Sequence, residues 1–207
     1  MGNTGLKIWR GIRNPAAVAN LVVMQFKLHG RLTEASRVRC HGERVVIRDW
    51  ESARKSRNMG FLAHINRYEW ALDKLVGLRC LDAGCGSGYG THYLACHGAA
   101  EVTGVDISDV AIAYCRKRYS CENLCSLRMD VTDLEFPDDS FDAAISFDVL
   151  EHLPEKSQAR FISNLARVVR DNGVVIVGCP KAASTEVNNP FHLHELTREE
   201  FESLLLA

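Results

Sequence analysis

From Arg79 onward the chain alternates between short, nearly continuous apolar runs and longer stretches in which apolar residues recur at every third or fourth position. The first pattern predicts strands buried on both faces, and the second predicts helices with one face turned inward. In chain order, strands are expected at 79–83, Glu101–Asp106, Leu124–Asp130, Phe141–Phe147 and Val174–Val177, the last a continuous β-branched run. Between them, helices are expected at Gly88–Ala95, at Asp109–Tyr119 with Ser108 as its cap, and at Ser157–Val169. In the last of these Phe161, Leu165, Val168 and Val169 share a face, and Asn172-Gly173 stops the segment. The alternation predicts a doubly wound α/β fold, a parallel sheet with helices on both faces.

Two segments precede this core. Asp49–Val76 reads as a helix with Phe61, Ile65, Tyr68, Ala71, Leu72 and Leu75 on its apolar face, ended by Gly77. Between Arg13 and Arg31 a helical pattern of Val18, Leu21, Val22, Val23 and Phe26 is crossed by a polar stripe of Arg13, Asn20, Lys27 and Arg31. That stripe has two readings. It is a basic amphipathic helix that contacts an anionic membrane surface and brings the protein to a lipid-linked substrate, or a helix packed over the domain with its stripe solvated. A cleaved targeting segment is a third reading, since the first acidic residue is Glu34, but Asn20 and Gln25 interrupt a secretory apolar core. The expected organisation is a basic amino-terminal segment at 1–48 and one domain at 49–207.

Composition changes this picture little. With 207 residues, 46% apolar and 25% charged, the chain can bury a full core, and a formal charge of -1 implies no nucleic-acid partner. The charge is uneven, because 1–48 hold nine Lys or Arg against Glu34 and Glu43 alone. The eight cysteines, at 40, 80, 85, 96, 115, 121, 125 and 179, do not read as a disulfide framework, and free thiols point to the cytoplasm. Cys121 and Cys125 miss the spacing usual for zinc pairs, so no metal is expected. No run reaches the roughly 18 apolar residues of a membrane span.

The chemistry is concentrated in LDAGCGSGYG, Leu81–Gly90, a buried strand that stops in a glycine-rich turn and restarts as a helix. The dinucleotide spacing G-x-G-x-x-G is not met, since Tyr89 follows from Gly84 and Thr91 from Gly86 at the sixth position. That disfavours a nicotinamide-dependent oxidoreductase. The pattern present, D-x-G-x-G-x-G, resembles motif I of the class I methyltransferases that use S-adenosylmethionine. FDAAISFDVLEHL, Phe141–Leu153, resembles motif IV and the Glu-His pair of the group that includes ubiquinone and menaquinone methyltransferases, with Asp148 where many relatives have Glu. Asn188–Leu205 resembles an Asn-Pro-Phe-His-x-x-Glu-Leu segment found in a bacterial methyltransferase subgroup.

The resemblance implies a Rossmann-like sheet, S-adenosyl-L-methionine as cofactor and methyl transfer to a small-molecule acceptor of glycan, lipid or quinone type. It implies cofactor contacts from Asp82, Ala83, Gly84, Gly86, Gly88, Asp106, Ile107, Asp130, Val131 and Phe147. Asp106, 18 residues after Gly88, is expected at the ribose hydroxyls, with helix capping as the alternative. Asp130 is expected near the adenine amino group or, alternatively, as the start of a turn. Ile107 would pack on the adenine, while Ala83 and Phe147 would offer main-chain groups to the methionine end. Arg67 and Tyr68 are candidates to line the site, Tyr68 equally a core residue. His152 either takes a proton from the acceptor or orients its loop, and His192 with Glu195 forms a second acid-base or orienting pair. The alternative function is a cofactor-binding but inactive partner subunit. The family sheet also ends in an antiparallel pair after the helix that begins near Thr197, which this chain lacks. Val174–Val177 is then left as an exposed apolar edge, to be covered by a second copy in a homo-oligomer, another chain or the amino-terminal segment.

Overall fold

The computed structural model describes residues 7–9, 20–26, 50–55, 59–182 and 191–206. These belong to two compact units, one spanning Leu28–Arg128 and the other joining Met1–Lys27 to Met129–Ala207.

In the unit at Leu28–Arg128, β3 (Arg79–Ala83) pairs in parallel with β4 (Glu101–Asp106), and β4 with β5 (Leu124–Arg128). The crossovers are α3 (Tyr89–Cys96) and α4 (Asp109–Arg118), the helices that the apolar spacing predicts to within a residue. Ser108 caps α4 as expected, its Oγ accepting from the Ala111 amide at 3.3 Å. Leu81, Leu94, Val102 and Val105 are fully shielded from water. Burial of a side chain of this size contributes roughly 1.5–3 kcal/mol. The single helix expected at Asp49–Val76 is described as α1 (Trp50–Lys55) and α2 (Met59–Leu75). Ile65, Tyr68, Ala71 and Leu75 line the buried face of α2. Trp50 stacks on Tyr93 of α3, ring centroids 4.1 Å apart, and its Nε1 donates to Glu69 at 3.1 Å.

The other unit is built on β7 (Val169–Pro180), which lies between two parallel neighbours, β6 (Phe141–Phe147) and β2 (Asn20–Phe26). The pairing of β2 corrects one expectation and selects among the alternatives of another. Asn20–Phe26 is a strand, so no amphipathic helix runs through it, and Arg13, Lys27 and Arg31 of the supposed stripe lie outside the described residues. The edge at Val174–Val177 is occupied from within the chain, with Leu21 opposite Val175 and Val22 opposite Ile176. The reason is that a short apolar run fits a buried helix or a doubly covered strand equally well, and here the partner strand decides. An antiparallel pair is also present, but at the amino-terminal end, where β1 (Lys7–Trp9) pairs with β2.

Asn172-Gly173 does not separate helix from strand. Helix α5 (Glu155–Val168) runs directly into β7, and Asn172, at φ 61°, lies within the strand where its register against β6 shifts. The shift has the character of a bulge. A Cβ at Gly173 would stand 2.7 Å from the Asp142 carbonyl oxygen, so the bulge requires glycine. Phe161 and Leu165 of α5, Ile145 of β6, Ile176 of β7 and Phe201 of α6 (Arg198–Leu206) form this unit's core. Among the described residues no helix is long and apolar enough to cross a membrane.

Candidate active site

The glycine turn takes its shape from three left-handed residues, Gly84, Gly86 and Gly88, at φ 83°, 56° and 79°. Residues with a Cβ resist that conformation. The amides of Gly84 and Cys85 both donate to the Val105 carbonyl, at 2.8 and 2.9 Å, which fastens the turn to the end of β4. Gly88 has a second constraint, since a Cβ there would lie 2.6 Å from Cys115 Sγ.

Asp106, the last residue of β4, is buried and closes the turn. Its Oδ2 accepts from the Gly86 amide at 3.0 Å and its Oδ1 from the Ser108 amide at 2.9 Å. Each carboxylate oxygen can accept more than one hydrogen bond, the chemistry that vicinal hydroxyls call for. Ile107 follows with 60% of its surface exposed, an apolar side chain next to the carboxylate. A turn with glycine at three of its five positions, a carboxylate held by amides and an exposed aliphatic group fit the ribose and adenine of a nucleoside. Ala83, at the end of β3, is buried beside this turn.

Asp82 is placed differently. Its side chain is buried and accepts from Thr91 Oγ1 at 2.7 Å and from the Tyr68 hydroxyl at 3.2 and 3.3 Å. Burial pushes its carboxyl up to about 6, against the two hydrogen bonds, with neighbouring Asp106 adding to the rise. Burial and the charge of Asp82 also push the Tyr68 phenol upward. The triad ties α2 and α3 to β3 and so supports the turn from behind. Tyr68 is thereby a buried core residue with a polar tip, and Arg67 is buried beside it.

The remaining expected residues belong to the unit containing Met129–Ala207. Asp130 is exposed and starts a turn, its Oδ1 accepting from the Thr132 amide at 2.8 Å and from Thr132 Oγ1 at 2.7 Å. Val131 and Phe147 are buried. After Phe147 the chain turns through Asp148 at φ 56°, whose amide donates to the Gly178 carbonyl at 2.9 Å, into a short 3-10 turn at Leu150–His152.

That turn brings together His152 and His192, ring centroids 5.0 Å apart and edge to face. His152 Nδ1 lies 2.8 Å from the Phe191 carbonyl oxygen, which can only accept, so Nδ1 carries the hydrogen. His192 Nδ1 lies 2.5 Å from Glu195 Oε1 and donates in the same way. With Nδ1 so engaged, Nε2 is the atom of each ring that accepts a proton when the ring is neutral. The His192 side chain is only 6% exposed, which shields its contact with Glu195 from water.

Two residues outside the expected set hold this pair in place. The Glu151 carbonyl accepts from the amides of Leu193, at 2.8 Å, and His194, at 3.2 Å, fixing the segment that carries His192. Gln158, buried on α5, donates to the carbonyls of Leu150 and His194 at 3.0 and 3.4 Å. A polar residue at 158, three positions before the buried Phe161, was the available signal for it.

Comparisons with known proteins agree with this geometry. A family model described as a methyltransferase domain matches residues 81–177. A Mycobacterium tuberculosis protein named "Probable S-adenosylmethionine-dependent methyltransferase" is 35% identical over 154 residues, covering 72% of this chain and 54% of its own. The chain carries a class I S-adenosylmethionine-dependent methyltransferase domain. Its cofactor is S-adenosyl-L-methionine, which the turn at Gly84–Gly88 with Asp106 and Ile107 fits. A phthiotriol/phenolphthiotriol dimycocerosates methyltransferase of Mycobacterium leprae is 36% identical over 115 residues, 54% of this chain and 42% of its own. The chain spans about half the length of the probable methyltransferases among the curated relatives it matches. The same fold is seen in Haemonchus contortus phosphoethanolamine N-methyltransferase 2, with a TM-score of 0.60 at 22% identity over 68% of this chain and 35% of that one. The [4+2]-cyclase SpnF matches with a TM-score of 0.59 at 24% identity, over 68% and 54%. These two likenesses concern the doubly wound, Rossmann-like fold alone.

Proposed function

We propose that this methyltransferase domain methylates a hydroxyl group on a small, lipid-related acceptor. The observation that carries the reading is the histidine pair, in which Nδ1 of His152 meets the Phe191 carbonyl and Nδ1 of His192 meets Glu195, which leaves Nε2 of each ring as the atom that can act as a base. S-adenosylmethionine supplies the activated methyl group. Asp106 and the glycine turn bind the nucleoside, and Ile107 packs on its base. His192 takes the hydroxyl proton on Nε2, and Glu195 stabilises the imidazolium that results. His152, held by the Phe191 carbonyl, supplies a second acceptor and the edge against which His192 is oriented. Support for a lipid-related acceptor comes from relatives. Besides the Mycobacterium leprae protein, a fatty-acid O-methyltransferase of Mycolicibacterium smegmatis is 38% identical over 98 residues, 47% of this chain and 35% of its own.

The test is an acceptor panel with methyl-labelled S-adenosylmethionine, containing long-chain acids, alcohols and phenols beside sugars, quinols and amines. Methyl ethers or esters of the lipid-like members, lost in His192→Ala, are expected. Turnover confined to amines, or no turnover of any member while S-adenosylhomocysteine binds, would overturn the reading.

A further inference from the structure

His92 and Cys96 lie one helical turn apart on α3 and present their side chains on the same face. Cys121, in the segment between α4 and β5, reaches that face. Its Sγ stands 3.0 Å from Cys96 Sγ, and Cys96 Sγ stands 3.3 Å from His92 Nε2. The three ligand atoms all lie within 4.8 Å of one another. Cys121 and Cys125 miss the spacing of a zinc pair in sequence, whereas the fold brings Cys121 to Cys96.

We infer that His92, Cys96 and Cys121 form a binding site for a thiophilic metal ion of the zinc class, with solvent in the fourth position. Two thiolates and an imidazole are the ligands such ions prefer, and three protein ligands with an open fourth position is a familiar zinc arrangement. Ideal tetrahedral bonds of about 2.3 Å to sulfur and 2.0–2.1 Å to nitrogen separate the sulfurs by roughly 3.8 Å and sulfur from nitrogen by roughly 3.5 Å. The sulfur–nitrogen distance is already close to that. The sulfurs must open by less than 1 Å, which the exposed Cys96 side chain permits. At 3.0 Å they are well short of the roughly 2.05 Å of a disulfide bond.

The surroundings favour an ion. Tyr119 stacks on His92 at 4.6 Å between centroids and fixes the ring plane. Binding replaces one proton on each thiol, so two protons leave and the two thiolates balance a divalent charge. The ion would staple the end of α3 to the segment leading into β5. Because Gly88 is the N-cap residue of α3, the staple also bears on the glycine turn.

The test titrates the reduced 207-residue chain with Co2+ as a spectroscopic stand-in, followed by Zn2+ competition. One ion per chain is expected, with a thiolate-to-cobalt charge-transfer band that Zn2+ abolishes. Cys96→Ser and Cys121→Ser should each lose the band, His92→Gln should weaken binding at least tenfold, and Cys125→Ser should bind like the parent. Zn2+ should raise the melting temperature of the parent and of Cys125→Ser only. Melting of each metal-free variant shows that it folds, and if one cysteine variant does not, the other with His92→Gln carries the test. No thiolate band in the reduced chain, an unchanged band in Cys96→Ser, or loss of both thiols to a disulfide without ion uptake would overturn the site. All readouts are of metal binding and are independent of which acceptor is methylated.

Discussion

Asp82 Oδ2 accepts a hydrogen bond from Thr91 Oγ1 at 2.7 Å, joining the end of β3 to the first turn of α3. The carboxylate doing so is fully buried, and its carboxyl is raised from 3.8 to about 6. A carboxyl that binds its proton more tightly in the folded state favours folding at low pH. That contribution is complete below about pH 4 and lost as pH rises through 6, a difference on the order of 3 kcal/mol. Stability curves measured from pH 4 to 7 should show the parent falling relative to Asp82→Asn by this amount. Parallel curves would remove Asp82 as the cause.

Asp106 binds two turn amides as well as fitting a ribose, so its loss should act twice. Asp106→Ala is expected to weaken S-adenosylhomocysteine binding by about tenfold or more, since charge-assisted hydrogen bonds contribute roughly 1.5–3 kcal/mol each. It should also lower the melting temperature, because the Gly86 and Ser108 amides lose their acceptor. Calorimetric titration and a thermal scan read the two effects separately.

At Gly90 the neighbour is an aromatic ring. A Cβ there would lie 2.0 Å from Tyr68 Cζ, so Gly90→Ala must displace Tyr68 from Asp82. The expected cost is about 1–3 kcal/mol, visible as a lower urea midpoint.

The histidine pair gives a kinetic prediction. His192→Ala and Glu195→Gln should lower the rate of methyl transfer by about 10²–10⁴ for the first, less for the second, as expected for a lost general base and its orienting partner. S-adenosylhomocysteine affinity, measured in the same preparations, should change less than about threefold. A parallel loss of affinity would show that the residues act through the fold instead.

Strand β2 can be removed from its role by one residue. Val22 lies opposite Ile8 of β1 on one side and Ile176 of β7 on the other, so Val22→Pro removes an amide from the ladder and disfavours the pairing. Truncation of residues 1–26 goes further and leaves β7 with an open apolar edge. Sedimentation at increasing concentration should show the truncated chain associating where the intact chain does not.

The parts legible in the sequence are those set by local chemistry. The turn at Gly84–Gly88 needs residues without side chains, and the run Val174–Val177 needs cover on both faces, so each leaves its mark at its own positions. His192 and Glu195 are three residues apart and could be paired on paper. What escaped reading depends on distant partners. The approach of His152 to the segment at Phe191 spans 39 positions, and the match of Cys96 with Cys121 spans 25. Leu21–Met24 looks the same as a helix core or a strand until β7 is known to lie alongside.

The placement of β2 against β7 also sets a timetable. Apart from β1, the described strand that leaves the ribosome earliest must wait for the strand that leaves it last, and at ~5–20 residues per second that interval is on the order of ten seconds. Through that time β2 has no partner of its own register except β1, while β3, β4 and β5 can already pair. Closing so long a loop is an entropically late step. The unit built on β7 is thus assembled from strands synthesised far apart in time, and chaperone dependence of the nascent chain should centre on Asn20–Phe26.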